Sequence, residues 1–231
     1  MQDINIVERI KRVRREISAA AVRAGRKPGE VRFIAVTKGI QPARIREAYD
    51  AGLREFGENY IQEAIGKIDL LPSDVKWHFI GRLQTNKAKY IPGRFIAVHS
   101  VERDDIAQQL QMVCEKKGIK MDIMIQVNVS GEKSKSGVTT ENTLNLFNNV
   151  LKYNNIVVSG LMTIPPYSDD AESSRVYFRA LRNLRDDLVH AGVPEKCLGE
   201  LSMGMSGDFE IAVEEGATVV RIGTAIFGSR G

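Results

Sequence analysis

The segment VRFIAVTKGIQPARIREAYDAG, residues 31–52, holds a strand, a loop and a helix in immediate succession. Residues 31–37 are almost continuously apolar, a pattern typical of a strand that is buried on both faces of a parallel sheet. Pro42 and Gly52 stand where proline and glycine are preferred, at the start of a helix and just past its end. The segment therefore predicts one βα unit with Lys38 at the carboxyl end of its strand.

The alternation of strand and helix signals continues along the whole chain. Eight β-rich runs are separated by helical patterns: Val31–Thr37, Glu55–Gly57, Trp77–Ile80, Phe95–His99, Asp122–Val129, Ile156–Met162, Leu198–Met203 and Thr218–Ile222. Strands joined through helices pair in parallel by right-handed crossovers, and eight such units make one TIM-type (β/α)8 barrel. The alternative is an open doubly wound sheet, which usually has a glycine-rich phosphate loop where this chain has residues 37–40. We therefore predict an α/β protein in which residues 1–231 form a single barrel domain.

An additional helix is predicted before the first strand. Apolar residues recur there at helical spacing: Ile6, Ile10, Val13, Ile17 and Ala20. This stripe is typical of an amphipathic helix that packs through one face. The basic residues between these positions then lie on the solvated face, so we predict no nucleic-acid surface.

Composition excludes several classes of protein. Of 231 residues, 43% are hydrophobic and 27% are charged, which is enough apolar content for a packed core. The net charge of +4 is spread along the chain, and no apolar run approaches the roughly 20 residues of a membrane span. Cys114 and Cys197 are isolated in sequence, which argues against a disulfide framework or a zinc site. Residues 1–16 lack the apolar core of a secretory signal, so a cytoplasmic protein without a metal is expected.

Lys38 is the first candidate for chemistry at the barrel mouth, where the strands of such barrels end and their functional loops begin. A lysine in an apolar setting has a lowered pKa because burial disfavours the ammonium ion. The neutral amine can attack an aldehyde and form an imine. The alternative is a lysine that reaches into solvent or pairs with Glu58.

A phosphate site is predicted at the ends of the last two strands. Residues 202–208 (Ser-Met-Gly-Met-Ser-Gly-Asp) join the seventh strand to a short helix that begins near Gly207, and small residues there let backbone N–H groups approach an anion. Residues 221–224 (Arg-Ile-Gly-Thr) end the eighth strand. Asp208 could instead cap the helix with its own carboxylate. An amine and a phosphate cradle together suit a phosphorylated aldehyde, either pyridoxal 5′-phosphate or a sugar phosphate held by a Schiff-base aldolase.

Six segments of this sequence resemble motifs of a known protein family and occur in the same order along the chain. They are residues 33–38, 56–60, 77–87, 160–164, 201–208 and 221–228. The chain resembles the pyridoxal phosphate homeostasis proteins, single-domain barrels similar to the N-terminal, fold-type III barrel of alanine racemase. The resemblance implies that Lys38 forms the internal aldimine with pyridoxal 5′-phosphate and that Arg221 lies beside the pyridine nitrogen. It further implies a phosphate site made of Ser206, Gly223 and Thr224 with the backbone of Gly207, and a ring lined by Asn59, His78 and Met203.

The resemblance also implies a role in vitamin B6 homeostasis without catalytic turnover, so no catalytic residue is assigned. A cation beside the ring nitrogen disfavours its protonation and weakens the ring as an electron sink. Racemisation needs a second acid–base group on the opposite face of the substrate, and no residues remain for the domain that supplies it in alanine racemase. The expected protein is a monomer that holds the cofactor, and its expected partners are apoenzymes that require it. A small amino-acid racemase and a Schiff-base aldolase are the alternatives.

Overall fold

A computed structural model describes residues 5–228 and contains a closed barrel of eight parallel strands. The strands are β1 (Arg32–Val36), β2 (Glu55–Glu58), β3 (Lys76–Phe79), β4 (Ala97–Val101), β5 (Met121–Asn128), β6 (Ile156–Met162), β7 (Glu200–Met205) and β8 (Val219–Ile222). Each strand pairs in parallel with the next, and β8 returns to β1 with Ile34 opposite Arg221. The predicted barrel is confirmed, and all eight β-rich runs form its strands.

The helices surround the barrel and bury the outer faces of the strands. They are α1 (Ile6–Arg23), α2 (Pro42–Asp50), α3 (Ile61–Ile68), α4 (Asp104–Lys117), α5 (Thr140–Val150), α6 (Arg175–His190), α7 (Phe209–Glu214) and α8 (Thr224–Phe227). The extra helix before the first strand is present as α1, and all five residues of its predicted apolar stripe are buried. Asn5 begins α1, because its Oδ1 accepts hydrogen bonds from the backbone N–H of Val7 and Glu8 at 2.7 and 3.3 Å.

The structure differs from the sequence prediction in several short elements. A two-residue strand, Val138–Thr139, pairs with the end of β5, and α8 is a single turn after β8. Elements this short contain too few residues to show a hydrophobic period. A 3₁₀ turn, Ala171–Ser174, precedes α6, and the side chain of Asp170 accepts from the N–H of Glu172 at its start at 3.0 Å. A second 3₁₀ helix, Thr85–Tyr90, lies just before Pro92.

Helix α1 packs against α7 and α8, the two helices that follow the last strands. Arg23 at its end donates hydrogen bonds to Glu210 and Glu214 of α7, both at 2.8 Å. Helix α1, which precedes the first strand, therefore supports the helices next to the last strand.

Within residues 5–228, no helix combines the length and apolar content needed to cross a bilayer. The same residues contain no group of three or more His, Cys, Asp or Glu side chains arranged to hold a metal ion. Cys114 and Cys197 are both buried, and neither forms a disulfide.

The close approach of β6 to β7 requires a glycine at position 160. A Cβ placed on Gly160 would lie 1.9 Å from the carbonyl oxygen of Glu200 on the neighbouring strand. We expect Gly160→Ala to lower the free energy of unfolding by about 1–3 kcal/mol, as measured by urea denaturation, because the two strands must move apart. Gly199→Ala is the control, since a Cβ there meets nothing within 4 Å. Equal stabilities of the two variants would contradict this account of the strand contact.

Candidate functional site

The first and last strands of the barrel end side by side at one cavity of about 70 Å³. Lys38 follows β1, and Gly223 and Thr224 follow β8; all three line this cavity. Lys38 is half-buried, and its Nζ lies 5.0 Å from the centroid of the Tyr60 ring. The structure therefore brings the predicted amine and part of the predicted phosphate cradle together at the barrel mouth.

A buried lysine on α3 fixes the loop that carries Lys38. Lys67 Nζ donates to the carbonyl oxygen of Thr37 at 2.6 Å and to the Oε1 atoms of Glu58 and Glu63 at 2.7 and 2.6 Å. Glu63 Oε1 also accepts from the backbone N–H of Gly39 at 2.5 Å. The residues on both sides of Lys38 are thus tied to one ammonium group.

Glu58 is the carboxylate that could have paired with Lys38, but it faces Lys67. It is fully buried and accepts a second hydrogen bond from Thr37 Oγ1 at 2.6 Å. Burial raises the pKa of Glu58, and the hydrogen bonds from Lys67 and Thr37 oppose that shift. No ion pair of Lys38 occurs among the residues that the structure describes, so the alternative of a Lys38–Glu58 pair is not what the fold forms.

The predicted phosphate cradle centres on Ser206. Its Oγ accepts from the backbone N–H of Gly223 at 3.1 Å and of Ala225 at 3.3 Å, so two N–H groups at the start of α8 converge on one oxygen. Phosphate oxygens are held by convergent N–H groups of this kind. Gly207 is exposed beside them, with no atom within 4 Å of where its Cβ would lie.

Asp208 does not cap the following helix. Its Oδ1 accepts from the N–H of Met205 at 2.7 Å, and its Oδ2 accepts from Ser174 Oγ at 3.1 Å. The helix begins at Phe209 rather than near Gly207, and the Asp208 side chain makes no capping bond to it. The carboxylate is therefore used to shape the loop after β7.

Arg221 is a cation fixed inside the barrel. It is 3% exposed, and its guanidinium donates to Ser202 Oγ at 2.7 Å and to the carbonyl oxygen of Thr163 at 2.8 Å. Burial lowers its pKa to about 10, which leaves the guanidinium protonated at neutral pH. The guanidinium is held inside the barrel because Ser202 lies on the adjacent strand β7 and Thr163 directly follows β6.

Two buried histidines lie behind Arg221. Ser202 Oγ is 3.0 Å from His99 Nδ1, and His99 Nε2 is 3.1 Å from His78 Nδ1. Burial holds the pKa of His99 well below its usual value, and the nearby His78 and Arg221 add to the shift. His78 is thus connected to Arg221 through two other side chains and does not line the cavity that contains Lys38.

The other two residues expected at the cofactor ring, Met203 and Asn59, differ in how deeply they are buried. Met203 is fully buried in the hydrophobic core, next in sequence to Ser202, whose side chain faces Arg221. Met203 does not line the cavity that contains Lys38. Asn59 is half-buried beside Tyr60, and its Oδ1 is a buried acceptor without a hydrogen-bond partner.

Sequence reasoning missed the contribution of Lys67. A charged residue on a surface helix is usually solvated, and nothing in its spacing identifies a partner 30 residues earlier in the chain. The one available signal is its position three residues after Ala64, on the apolar face of α3.

The comparisons with known proteins identify the family that this chain resembles. The family described as "Alanine racemase, N-terminal domain" matches residues 9–231. A protein named "Pyridoxal phosphate homeostasis protein" from Aquifex aeolicus is 47% identical to this chain, over 98% of this chain and 99% of that protein. A protein of the same name from Pseudomonas aeruginosa is 46% identical, over 97% of this chain and 96% of that protein. The solved structure of PipY from Synechococcus elongatus with PLP bound has a TM-score of 0.83 at 35% identity, over 97% of this chain and 100% of that one.

We expect Lys67→Met to lower the free energy of unfolding by about 3–5 kcal/mol, because it leaves the carboxylate of Glu58 buried without its cation. The double variant Lys67→Met/Glu58→Gln removes both charges and is expected to regain most of that loss. Urea denaturation of the two variants and the unaltered protein measures both values. A double variant no more stable than Lys67→Met would show that the pair does not act as a unit.

Proposed function

This chain belongs to the alanine racemase N-terminal domain family, and within it to the pyridoxal phosphate homeostasis proteins, and from that membership we propose that it binds pyridoxal 5′-phosphate at the barrel mouth. Its role is to hold this cofactor and to maintain its supply. The proposal is supported by relatives named for that role and by a solved relative described with PLP bound.

The residues at the barrel mouth fit the cofactor. The observation that carries the assignment is the meeting of Lys38 with Gly223 and Thr224 in one cavity, next to two N–H groups that converge on Ser206. A volume of about 70 Å³ suits a phosphate group, so a pyridine ring would occupy the open mouth beyond it. The backbone N–H donors suit the phosphate group of the cofactor, and the Lys38 amine suits its aldehyde group.

Each residue then has a defined task. Lys38 would hold the aldehyde group through Nζ, because a free amine condenses with an aldehyde. Ser206, Thr224 and the N–H groups of Gly207 and Gly223 would hold the phosphate, since two N–H groups already converge on Ser206 Oγ. Arg221 would lie beside the pyridine nitrogen and Asn59 beside the ring. When bound, the cofactor supplies an electron-withdrawing ring attached to the amine.

Arg221 favours holding the cofactor over using it. A guanidinium donor beside the ring nitrogen disfavours protonation of that nitrogen, and an unprotonated ring stabilises a carbanion less well. Ser202 and Thr163 fix the guanidinium in place, so this condition is built into the barrel. We therefore propose a binding and regulatory protein, a monomer that passes the cofactor to apoenzymes requiring it.

A small amino-acid racemase is the second candidate, and one contact favours it. Tyr60 lies close to Lys38, so its hydroxyl could serve as the second acid–base group. Tyr167 is less suited, because it is 87% exposed and its hydrogen bond to Asp169 raises its pKa, which disfavours the tyrosinate that a base requires.

We expect the purified protein with pyridoxal phosphate to absorb visible light, and borohydride to fix the cofactor on Lys38 because only this lysine lines the cavity. Peptide mapping of the reduced adduct identifies the site. Lys38→Ala should lose the visible band, whereas Lys120→Ala, a change to an exposed lysine just before β5, should keep it. A protein that remains colourless with added cofactor would contradict the proposal and favour a Schiff-base aldolase.

We expect no deuterium exchange at the α-carbon when the holoprotein is incubated with single enantiomers of a broad amino-acid panel in deuterated water. The physical reason is the unprotonated ring that Arg221 enforces. Mass spectrometry measures the exchange. Exchange that disappears in both Lys38→Ala and Tyr60→Phe would overturn the non-catalytic role and support the racemase.

A further inference from the structure

A second and larger concavity lies beside the barrel mouth, between the loop after β2 and the segment after β3. Its volume is about 750 Å³, and none of its lining residues also lines the Lys38 cavity. This volume is within the range of about 300–1,000 Å³ that is typical of small-molecule sites. We call it the side cleft, and its floor is formed by the buried apolar residues Ile61, Phe79 and Leu83.

A glycine holds the two walls of the side cleft together. A Cβ on Gly81 would lie 2.1 Å from the carbonyl oxygen of Asn59, so the backbones of the two loops touch at this point. Ser100 Oγ reinforces the contact by donating to the carbonyl oxygen of Gly81 at 2.5 Å. The cleft is therefore a built feature of the barrel edge rather than a gap between independent loops.

The side cleft is lined by three cations, Arg82, Lys87 and Arg103, and by no carboxylate among the described residues. Two acids contact the lining residues: Asp105 pairs with Arg103 at 3.0 Å and accepts from Thr85 Oγ1 at 2.9 Å, and Glu102 lies 3.5 Å from Arg82. Lys87 has no ion-pair partner within residues 5–228, and its Nζ lies 5.9 Å from the Tyr90 ring. The cleft thus keeps uncompensated positive charge, which suits a phosphate group.

Side-chain amides dominate the remaining polar surface. The cleft is lined by the amides of Asn59, Gln62, Gln84 and Asn86, and none of the four has a hydrogen-bond partner in the described part of the chain. A buried acceptor such as Asn59 Oδ1 is unfavourable while it lacks a donor. Asparagine and glutamine amides pair with the edges of nucleobases through two hydrogen bonds at once.

An exposed aromatic ring completes the side cleft. Tyr60 is 54% exposed and lines the cleft on the side that faces Lys38. Exposed aromatic rings stack on the flat faces of bases. Inorganic phosphate would use only the cations of the side cleft. The amides and the Tyr60 ring therefore point to a ligand that also carries a heterocycle.

We propose that the side cleft binds a nucleoside 5′-phosphate, with its base on Tyr60 and the unpartnered amides and its phosphate at Lys87 and Arg82. The Tyr60 ring is 5.0 Å from Lys38 Nζ, so the same residue faces both sites. Nucleotide occupancy is therefore expected to change the environment of Lys38 and of any group bound to it.

The experiment is a calorimetric titration of the protein with each of the four ribonucleoside 5′-monophosphates. At least one is expected to bind one-to-one and more tightly than inorganic phosphate. Lys87→Gln and Tyr60→Leu are expected to weaken that binding by roughly tenfold or more. Lys89→Gln is the matched control: it lies in the same 3₁₀ helix, is 5.2 Å from the same Tyr90 ring and does not line the cleft.

The proposal would be overturned if no monophosphate bound, or if inorganic phosphate bound as tightly as the nucleotides. It would also be overturned if Lys87→Gln and Lys89→Gln weakened nucleotide binding equally. Displacement of the nucleotide by pyridoxal phosphate in the Lys38→Ala protein would have the same meaning. Tight binding of an RNA oligomer without binding of monophosphates would also count against it. Lys38→Ala is expected to retain nucleotide binding, so failure at the barrel mouth and failure at the side cleft are told apart.

Discussion

A single buried ammonium group sets the geometry of the barrel mouth. Lys67 binds the carbonyl oxygen of Thr37 and the carboxylates of Glu58 and Glu63, and so fixes the backbone on both sides of Lys38. Two lysines therefore have different roles. Lys67 is paired and structural, whereas Lys38 lacks an ion-pair partner among the described residues and faces the mouth. A reactive amine needs this separation, because a carboxylate beside Lys38 would hold it as an ammonium ion.

The interior of the barrel under the mouth is polar but carries little charge. Arg221 supplies one cation, and the side chains of Ser202, His99 and His78 continue from it as a hydrogen-bonded chain. Ser202 and the carbonyl group of Thr163 hold the guanidinium without neutralising its charge, as a paired carboxylate would. The barrel can thus present a cation to a bound ring.

The fold could be predicted from the sequence because eight buried strands separated by helices leave few topologies open. The residues of the cavity were also predictable, since Lys38, Gly223 and Thr224 directly follow strands that must end at the same rim. Side-chain direction was not predictable in the same way. Ser202 and Met203 follow one another in β7, and only the hydrogen bond of Ser202 shows that its side chain faces Arg221. Lys67 and the His99 contact depend on partners far apart in sequence, which no local pattern encodes.

The packing of α1 on α7 and α8 has a consequence for how the chain folds. Helix α1 precedes β1 in the chain, whereas its partners α7 and α8 lie on either side of the last strand, and β1 likewise pairs with β8. Contacts of such large sequence separation form slowly, so ring closure is expected to be the late step of folding. Ser206 and Gly223 meet only in the closed ring. A ligand held there would bind the finished barrel alone, and its binding energy would add to the stability of that last closure.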